Sequence, residues 1–382
     1  MNSVWSFHHP TRITFGVGCV PFALEQVPYR RMLLVTTPGM HRRGTSDWLR
    51  EACRGKVTAS YEAVKPNPEM ADLDDLALRY KEGNFDAVLA LGGGSALDTG
   101  KILAVLLGAG GEFTLRGHFF AGDSMSKARP LPVIAIPTTA GTGSEVTPFA
   151  TVWDIRNIKK FSLAHPTMFP AYALLDPALT HELPWNTTLA TGLDAFTQAC
   201  ESVWNRNANP ITLGFAYEAA RLAWEALSRG EDIIGSIIYR TKLMEASLLA
   251  GLAISHTRTA LCHSMSYPIT ARFGLSHGLA CGFTLPAVLR YNSESDDGRL
   301  RELARRLGHA SVDDLTSAIA ELLRRLGVWA LVQSAVGGSR QLWELESDMI
   351  TPGRADNNLR PVETGALKAI LDEAMRDLGA VE

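Results

Sequence analysis

Four short apolar runs, uninterrupted by charged residues, most strongly constrain how this chain can fold. Met32–Val35, Ala87–Leu91, Val133–Ile136 and Tyr172–Leu175 have the length of β-strands, and each is followed by Thr, Gly, Pro or Asp. Such continuous runs are typical of strands buried on both faces of a parallel sheet. Between the first two runs, residues 70–82 carry apolar side chains at helical spacing. Strand and helix therefore alternate, which predicts an α/β domain with a parallel sheet.

The chain after Asp176 has a different pattern. Few strand signals follow, and three apolar stripes at helical spacing predict long helices. The stripes are Leu213, Tyr217, Ala220, Trp224 and Leu227; Val312, Leu315, Ile319, Leu322 and Leu326; and Leu367, Ile370, Leu371, Ala374 and Leu378. A length of 382 residues favours two domains. We predict an α/β domain over residues 1–178 and an all-helical domain over residues 179–382.

The composition narrows the possible partners. Lys and Arg number 37 against 40 Asp and Glu, for a net charge of −3, so the general attraction to nucleic acid is missing. No segment reaches the roughly 18 uninterrupted apolar residues of a membrane span, and the N-terminus lacks a signal-peptide pattern. Five cysteines without a C-x-x-C pair argue against a disulfide framework. We therefore expect a cytoplasmic protein that binds neither nucleic acid nor membranes.

The segment Leu91–Lys101 carries the strongest local signal. A buried strand leads into Gly92-Gly93-Gly94 and then into a helical pattern, which would expose main-chain N–H groups to a pyrophosphate at a helix N-terminus. The alternative is an ordinary glycine-rich turn, although three consecutive glycines have a high conformational entropy cost. The spacing matches neither G-x-G-x-x-G nor a P-loop. A second loop, Ile136–Thr147, is rich in hydroxyl groups and glycine and follows the next strand, where open α/β sheets bind ligands.

The helical half contains possible metal ligands. Asp194 and Gln198 are four residues apart and share one face of a predicted helix. His263 lies on a helix predicted to end at Pro268, and His277 begins the next one. One carboxylate, two imidazoles and an amide or water form a mixed set suited to Fe²⁺ or Zn²⁺. The alternative is that both histidines are ordinary, partly buried side chains.

Taken in order, these motifs resemble those of the iron-dependent (group III) alcohol dehydrogenases. The motifs are Gly92-Gly93-Gly94-Ser95-x-x-Asp98-x-x-Lys101, Pro137-Thr138-Thr139-Ala140-Gly141-Thr142-Gly143-Ser144-Glu145, Gly192-Leu193-Asp194-Ala195, His263 and His277-Gly278. The likeness runs from Phe15-Gly16-x-Gly18 through Pro66-Asn67-Pro68 to Asn358-x-Arg360-Pro361, which is nearly the whole chain. Within the group, segments 149–154, 201–210 and 260–268 resemble phosphonoacetaldehyde reductases, which form 2-hydroxyethylphosphonate in phosphonate natural-product (antibiotic) biosynthesis.

The resemblance implies a dehydroquinate synthase-like fold, in which an N-terminal α/β domain binds NAD(P) and a helical C-terminal domain binds a divalent metal, with the active site in the cleft between them. It assigns cofactor binding to Thr37, Asn67, Gly92, Gly93, Gly94, Ser95, Asp98, Thr138, Thr139, Thr142, Ser144, Thr147 and Lys160. It assigns metal binding to Asp194, Gln198, His263 and His277, with Fe²⁺ or Zn²⁺ as the ion. Many relatives are homodimers, so we also expect an oligomer.

Two positions depart from the family pattern. The family has His where Gln198 stands, and an amide oxygen binds Fe²⁺ or Zn²⁺ more weakly than an imidazole nitrogen. Tyr267 replaces a histidine that is thought to relay protons in many alcohol-oxidising relatives. Tyrosine can donate a proton to the product oxygen, although its reference pKa of about 10 makes it a poorer relay than histidine. We therefore predict Tyr267 as the catalytic residue, with either its hydroxyl or water as the proton donor.

The substrate is predicted from the subfamily resemblance and from arginines. Arg258 stands where the family usually has a small residue, and we place it on the same helix as His263, where its guanidinium could bind phosphonate oxygens. Arg272 and Phe149 are further predicted substrate contacts. Thr37 replaces the Asp of NAD-selective relatives, so NADPH is permitted beside NADH. Alternatives are another group III alcohol dehydrogenase, a maleylacetate-type reductase without metal, or a catalytically inactive NAD(P)-binding protein.

Overall fold

The computed structural model describes residues 4–125, 128–154, 159–363 and 365–379. The chain forms two compact units. One unit contains His9–Thr139 and Ser144–Thr180, and the other contains the remaining described residues, including Ala140–Gly143.

The first unit is built on a six-stranded parallel sheet with the order β1-β8-β5-β4-β2-β3, and it also contains an antiparallel β6–β7 hairpin. The strands are β1 Arg12–Phe15, β2 Met32–Thr36, β3 Val57–Tyr61, β4 Ala87–Gly92, β5 Val133–Pro137, β6 Phe149–Asp154, β7 Lys159–Ala164 and β8 Tyr172–Leu175. The four apolar runs of the sequence are β2, β4, β5 and β8, so the prediction of a parallel α/β sheet is confirmed.

Helices pack on both faces of this sheet, which is why its central strands lack polar alternation. They are α1 Cys19–Gln26, α2 Pro38–Arg42, α3 Thr45–Ala52, α4 Met70–Tyr80, α5 Gly94–Gly108 and α6 Leu115–Ala121. Along β4, Leu89 and Leu91 pack in a cluster with Leu24 of α1, whereas Val88 and Ala90 belong to a second cluster on the opposite face. Every residue of β2, β4 and β5 is buried.

The second unit contains only helices among its described elements, as the three apolar stripes predict. The helices are α7 Trp185–Val203, α8 Pro210–Leu227, α9 Ile237–Thr257, α10 Leu261–Phe273, α11 His277–Gly282, α12 Leu285–Ser293, α13 Arg299–Arg306, α14 Val312–Arg325, α15 Val328–Val336, α16 Ser339–Trp343 and α17 Ala366–Leu378. The stripes lie on α8, α14 and α17. No helix in the described part of the chain is both long and apolar enough to cross a bilayer.

Two details of the predicted organisation are wrong. Helix α10 does not end at Pro268 but continues to Phe273, where Gly274 terminates it in the left-handed region. A proline removes one helical hydrogen bond, and the burial of Ile269 helps to keep the following turn helical. The predicted ranges also place Ala140–Gly143 in the α/β domain, whereas this segment belongs to the helical unit.

Close main-chain packing explains the position of Ala140–Gly143. A Cβ added to Gly141 would lie 2.7 Å from Thr191 Cβ on α7, and one added to Gly143 would lie 2.5 Å from Gly251 Cα on α9. Only glycine permits both contacts, and Gly143 also has a φ of 60°. The polar loop predicted from the sequence is therefore divided between the two units.

Candidate functional site

The three glycines lie where β4 ends and α5 begins, beside the end of β5. Gly92 pairs with Pro137 in the sheet, and its carbonyl oxygen accepts the N–H of Thr138 at 3.0 Å. Gly92 has a φ of 148°, which favours glycine, and a Cβ added to Gly93 would lie 3.1 Å from Thr139. The Thr138 hydroxyl is buried without a hydrogen-bond partner among the described residues. This junction offers main-chain N–H groups and an unsatisfied hydroxyl to a ligand, so it fits the pyrophosphate of a dinucleotide.

A buried lysine holds the second loop against the same helix. Lys101 of α5 is 1% exposed, and its ammonium donates to the carbonyl oxygens of Ser144 at 2.9 Å, Thr147 at 3.4 Å and Phe149 at 2.5 Å. It also lies 3.4 Å from Asp98 Oδ1. Burial lowers the pKa of Lys101, although the Asp98 carboxylate opposes that shift. Lys101 therefore fixes the path of a loop that carries three predicted site residues.

The Asp98 carboxylate accepts two hydrogen bonds, one from this loop and one from β6. The Ser144 hydroxyl donates to Asp98 Oδ1 at 2.5 Å, and the Thr151 N–H donates to Oδ2 at 2.8 Å. Ser95 lies one turn earlier on α5 and is partly exposed, as Asp98 is. The structure thus brings together Ser95, Asp98, Ser144 and Thr147, which the resemblance assigns to cofactor binding.

The other four predicted cofactor residues each lie on a different segment of the chain. Thr37 caps α2 by accepting the Met40 N–H at 3.4 Å, and its methyl carbon lies 3.8 Å from the Cβ position of Gly92. Asn67 is exposed in the connection between β3 and α4, with a φ of 56°. Lys160 lies on β7 with its ammonium 5.8 Å from the Trp153 ring centre. Thr142 belongs to the segment of the helical unit described above.

In the helical unit, four side chains from three helices form a cluster suited to a metal ion. One ligand atom from each of Asp194, His263, His277 and Cys281 lies within 4.8 Å of all the others. His263 Nε2 is 3.2 Å from Asp194 Oδ1, and the two imidazole rings are 5.3 Å apart in an edge-on arrangement. Asp194, His263 and Cys281 are buried, and His277 is partly exposed. These nitrogen, oxygen and sulfur donors fit a divalent transition metal such as Zn²⁺ or Fe²⁺.

Gly278 permits the cluster to close. A Cβ at this position would overlap the Ala190 carbonyl oxygen of α7 and would lie 3.0 Å from Asp194 Cβ. Glycine therefore lets α11 approach α7 closely enough for His277 and Cys281 to reach Asp194. In the His277-Gly278 motif, His277 is thus the candidate ligand and Gly278 permits the close packing of the two helices.

Glu201, one of the residues that sequence reasoning missed, orients His263. This carboxylate is 0% exposed, and its Oε2 lies 2.7 Å from His263 Nδ1, which directs Nε2 toward Asp194. Glu201 also accepts the main-chain N–H groups of Ala260 at 2.7 Å, Cys262 at 2.6 Å and His263 at 3.3 Å. A carboxylate behind a metal-binding histidine fixes the ring and its tautomer. The i, i+7 spacing from Asp194 places Glu201 two turns further along one face of α7, which is the signal that could have identified it.

The two buried ligands shift each other's protonation. Burial opposes the protonation of His263, but its interactions with Cys281, Glu201 and Asp194 outweigh burial and hold the pKa of His263 well above its usual range. Burial raises the pKa of Asp194, but hydrogen bonding from His263 and the charge of His277 outweigh it, so that pKa is lowered. The cluster therefore places a carboxylate opposite a protonated imidazole, and a metal ion that binds His263 must displace this proton.

Gln198, the fourth predicted ligand, lies one turn after Asp194 on α7 and is 4% exposed, and its amide lowers the pKa of the Asp194 carboxyl. Its Oε1 has no hydrogen-bond partner among the described residues. Cys281 was not predicted, although it lies four residues after His277 and therefore on the same helix face.

Tyr267 lies beside His277, the partly exposed histidine of the cluster. The Tyr267 ring stacks on His277 with centres 5.8 Å apart, and its hydroxyl oxygen accepts the Arg354 Nε–H at 3.2 Å. We expected Arg258 to lie on the helix of His263. It is instead the C-terminal cap residue of α9. Burial lowers the pKa of the Arg258 guanidinium, and the positive charge of Arg354 lowers it further.

Arg272 lies apart from this group. It is exposed and follows His263 by nine residues on α10, which is about 13 Å along a helix axis. The arginine that the structure places in contact with Tyr267 is Arg354. Phe149 begins β6 in the α/β unit, where its carbonyl oxygen binds Lys101.

Two family models match the chain. The model "Iron-containing alcohol dehydrogenase" matches residues 10–177, and "Fe-containing alcohol dehydrogenase family, C-terminal" matches residues 188–337. The NAD-dependent methanol dehydrogenase of Bacillus methanolicus is 31% identical over 324 residues, covering 82% of this chain and 83% of that protein.

Two further comparisons name aldehyde reductases. The phosphonoacetaldehyde reductase of Streptomyces viridochromogenes is 40% identical over 221 residues, and this match spans 57% of this chain and 56% of that protein. The crystal structure of sulfoacetaldehyde reductase from Bifidobacterium kashiwanohense in complex with NAD⁺ has a TM-score of 0.88 and 30% identity, with both chains covered completely.

Proposed function

Because this chain belongs to the iron-containing alcohol dehydrogenase family, we propose that it reduces phosphonoacetaldehyde to 2-hydroxyethylphosphonate as a step in phosphonate biosynthesis. At the level of the family, the chain is an NAD-dependent alcohol dehydrogenase or aldehyde reductase with a divalent metal centre. The named activity of the Streptomyces viridochromogenes relative supports the finer proposal.

The main-chain conformation of Arg258 is the observation that carries this proposal. Its φ of 64° and ψ of 179° fall in a region occupied almost only by glycine. An arginine held there costs about 1–3 kcal/mol, and such strain is concentrated at ligand sites. The family usually has a small residue here, so the side chain of Arg258 has a function that offsets the strain.

The neighbourhood of Arg258 supports an anionic substrate. Arg258 and Arg354 lie close enough for the charge of one to lower the pKa of the other. Two guanidinium groups repel each other, and an anion bound between them removes that repulsion. Each guanidinium can bind two oxygens of a phosphonate. The pair is therefore the proposed phosphonate-binding site.

A chain of contacts leads from Arg354 to the metal cluster. Arg354 donates to Tyr267, and Tyr267 stacks on His277. A substrate with its phosphonate at the arginines would thus have its carbonyl group near Tyr267 and the metal ligands. This arrangement orients the aldehyde by its charged end, which is how a small substrate is held for reaction.

The chain's own residues then position groups for the reaction. When bound, the dinucleotide supplies the hydride and the divalent ion, held by the cluster of Asp194, His263 and His277, withdraws electron density from the carbonyl. Tyr267 donates its hydroxyl proton to the oxygen that was the carbonyl, since its own oxygen already accepts a hydrogen bond from Arg354. Glu201 keeps His263 Nε2 directed at the cluster.

The proposed cofactor site is the glycine junction and the loop held by Lys101. Gly92, Gly93 and Gly94 would bind the pyrophosphate, and Asp98 would bind the nicotinamide ribose. Thr37 presents no carboxylate to a 2′-phosphate, so we expect both NADH and NADPH to be accepted. The values of kcat/KM for the two cofactors, measured with one aldehyde, test this expectation.

Two further features of the proposal concern assembly and location. Strand β1 stands at one edge of the sheet, and an N-terminal strand is the dimer contact of many relatives, which supports a homodimer. All five cysteines are free thiols, which supports a reducing, cytoplasmic location.

Replacement of Arg258 by glycine tests the substrate. In Arg258→Gly the backbone strain is relieved while the guanidinium is lost, so we expect KM for phosphonoacetaldehyde to rise about 10- to 100-fold. The KM for propanal, which has no charge, stays unchanged, and the free energy of unfolding rises by about 1 kcal/mol. Arg272→Ala is the matched control and leaves both KM values unchanged. Equal effects on both aldehydes would refute the assignment.

Sulfoacetaldehyde is the second candidate substrate. Its support is the complete coverage of this chain by the sulfoacetaldehyde reductase structure. A sulfonate carries one negative charge, whereas a phosphonate carries up to two, so a pair of arginines favours the phosphonate. A higher kcat/KM for sulfoacetaldehyde than for phosphonoacetaldehyde would reverse this preference while leaving the role of Arg258 intact.

A further inference from the structure

The cysteine in the metal cluster has no counterpart in the ligand set expected from the family resemblance. Cys281 is 0% exposed, and its Sγ lies 3.8 Å from both ring nitrogens of His277. His277 and Cys281 are four residues apart on α11, so both side chains are on one face of the helix. The sulfur therefore faces the other ligand atoms and is not simply buried among apolar side chains.

The predicted fourth ligand is the weaker candidate for the same ion. Gln198 lies one turn after Asp194 on α7, and its buried Oε1 has no hydrogen-bond partner among the described residues. A neutral amide oxygen adds no charge to the set. A thiolate adds one negative charge and a soft donor, which Zn²⁺ binds at about 2.3 Å.

We infer that Cys281 is the fourth protein ligand of the metal, in place of the histidine that the family has at position 198, and that this centre prefers Zn²⁺ to Fe²⁺. The set is then Asp194, His263, His277 and Cys281. When the ion binds, the Cys281 thiol releases its proton to solvent and the sulfur coordinates as a thiolate. The inference concerns the ion alone, so it holds whichever aldehyde is the substrate.

With Cys281 as a ligand, the four donor atoms are divided differently among the helices. His277 and Cys281 belong to the same helix, so one helix supplies two of the four donors and α7 supplies only Asp194. Gly278 lies between them and sets the distance of that helix from α7. The family ligand at position 198 on α7 is thus replaced by Cys281 on α11.

Cobalt substitution tests the inference without using activity. The Co²⁺-loaded protein should show a thiolate-to-cobalt charge-transfer absorption in the near ultraviolet. Cys281→Ala should abolish this band and weaken Zn²⁺ binding by at least about 100-fold, because loss of an outer-shell partner alone costs 10- to 100-fold. Cys262→Ala is the matched control, since Cys262 is also a buried thiol next to a ligand but is not in the cluster. It should keep the band.

A second variant distinguishes the two possible fourth ligands. Gln198→Ala should retain the charge-transfer band and most of the Zn²⁺ affinity. Equilibration with equal amounts of Zn²⁺ and Fe²⁺ under anaerobic conditions should load mainly Zn²⁺ in the parent protein and proportionally more Fe²⁺ in Cys281→Ala. The inference is overturned if the parent shows no such band, or if Gln198→Ala loses the metal while Cys281→Ala keeps it. Thermal unfolding of the metal-free variants verifies that each is folded.

Discussion

Each unit of this molecule contains one fully buried charge that binds the main chain of a segment carrying candidate site residues, yet the two charges act on different targets. In the helical unit, Glu201 accepts three main-chain N–H groups and also binds the ring of His263. In the α/β unit, Lys101 donates to three carbonyl oxygens of one loop. Glu201 therefore touches a candidate metal ligand, whereas Lys101 sets the path of a loop.

The difference reflects what each site is made of. The metal centre consists of side chains, so the orientation of a single ring decides whether a donor atom faces the ion. The candidate dinucleotide site consists largely of main-chain groups and glycines, so the course of the loop decides whether a ligand can approach. Substitutions that remove atoms should damage the first site, and substitutions that add atoms should damage the second.

Loss of the Glu201 charge should have the largest effect of the substitutions considered, and the effect should be on metal affinity. Glu201→Gln keeps the size of the side chain but weakens the hydrogen bond to His263 Nδ1, so we expect metal affinity to fall about 10- to 100-fold. Lys101→Met, which removes the other buried charge, should leave metal affinity unchanged. Competition with a chromogenic chelator measures both variants. Similar losses in both would mean that the two buried charges act through overall stability and not through one ligand.

A buried carboxyl group in the α/β unit, Glu145, should make the stability of the protein depend on pH. Burial raises the pKa of Glu145, beside Lys101, from 4.5 to about 7. Between pH 4.5 and 7 the unfolded chain loses this proton while the folded chain keeps it, so the stability contributed by the group is complete below pH 4.5 and is lost as the pH rises. We expect the free energy of unfolding to fall by about 2 kcal/mol from pH 5 to pH 7.

Glu145→Gln should remove this slope. Urea unfolding at pH 5, 6 and 7 compares the variant with the parent protein. Glu302→Gln serves as the control, because Glu302 is a solvent-facing carboxylate that binds Arg305 and Arg306. A variant that retains the full slope would assign the titration to another group.

Addition of one methyl group at the glycine junction should have the smallest of these effects. A Cβ at Gly93 lies 3.1 Å from Thr139, so Gly93→Ala narrows the approach to the main-chain N–H groups. We expect the Kd for NADH to rise about tenfold, equivalent to about 1.4 kcal/mol, with metal content unchanged. Gly214→Ala is the control, since a Cβ there meets open space. Fluorescence titration gives the Kd, and an unchanged value would separate NADH binding from this junction.

The sequence by itself determined the local architecture. Uninterrupted apolar runs predicted β2, β4, β5 and β8, and apolar stripes predicted α8, α14 and α17. These patterns are local, since the side chains that define them lie within a few turns or residues of one another. The ordered motifs also identified the family and three residues of the metal cluster, Asp194, His263 and His277.

Only the tertiary structure decided how distant side chains meet. Cys281 became a candidate ligand because Gly278 lets α11 approach α7, and Glu201 became a positioning residue because α7 packs beside the start of α10. Tyr267 and Arg354 are 87 positions apart in the chain, and no periodicity predicts the hydrogen bond between them. Such contacts depend on the packing of whole helices, which hydrophobic spacing limits but does not specify.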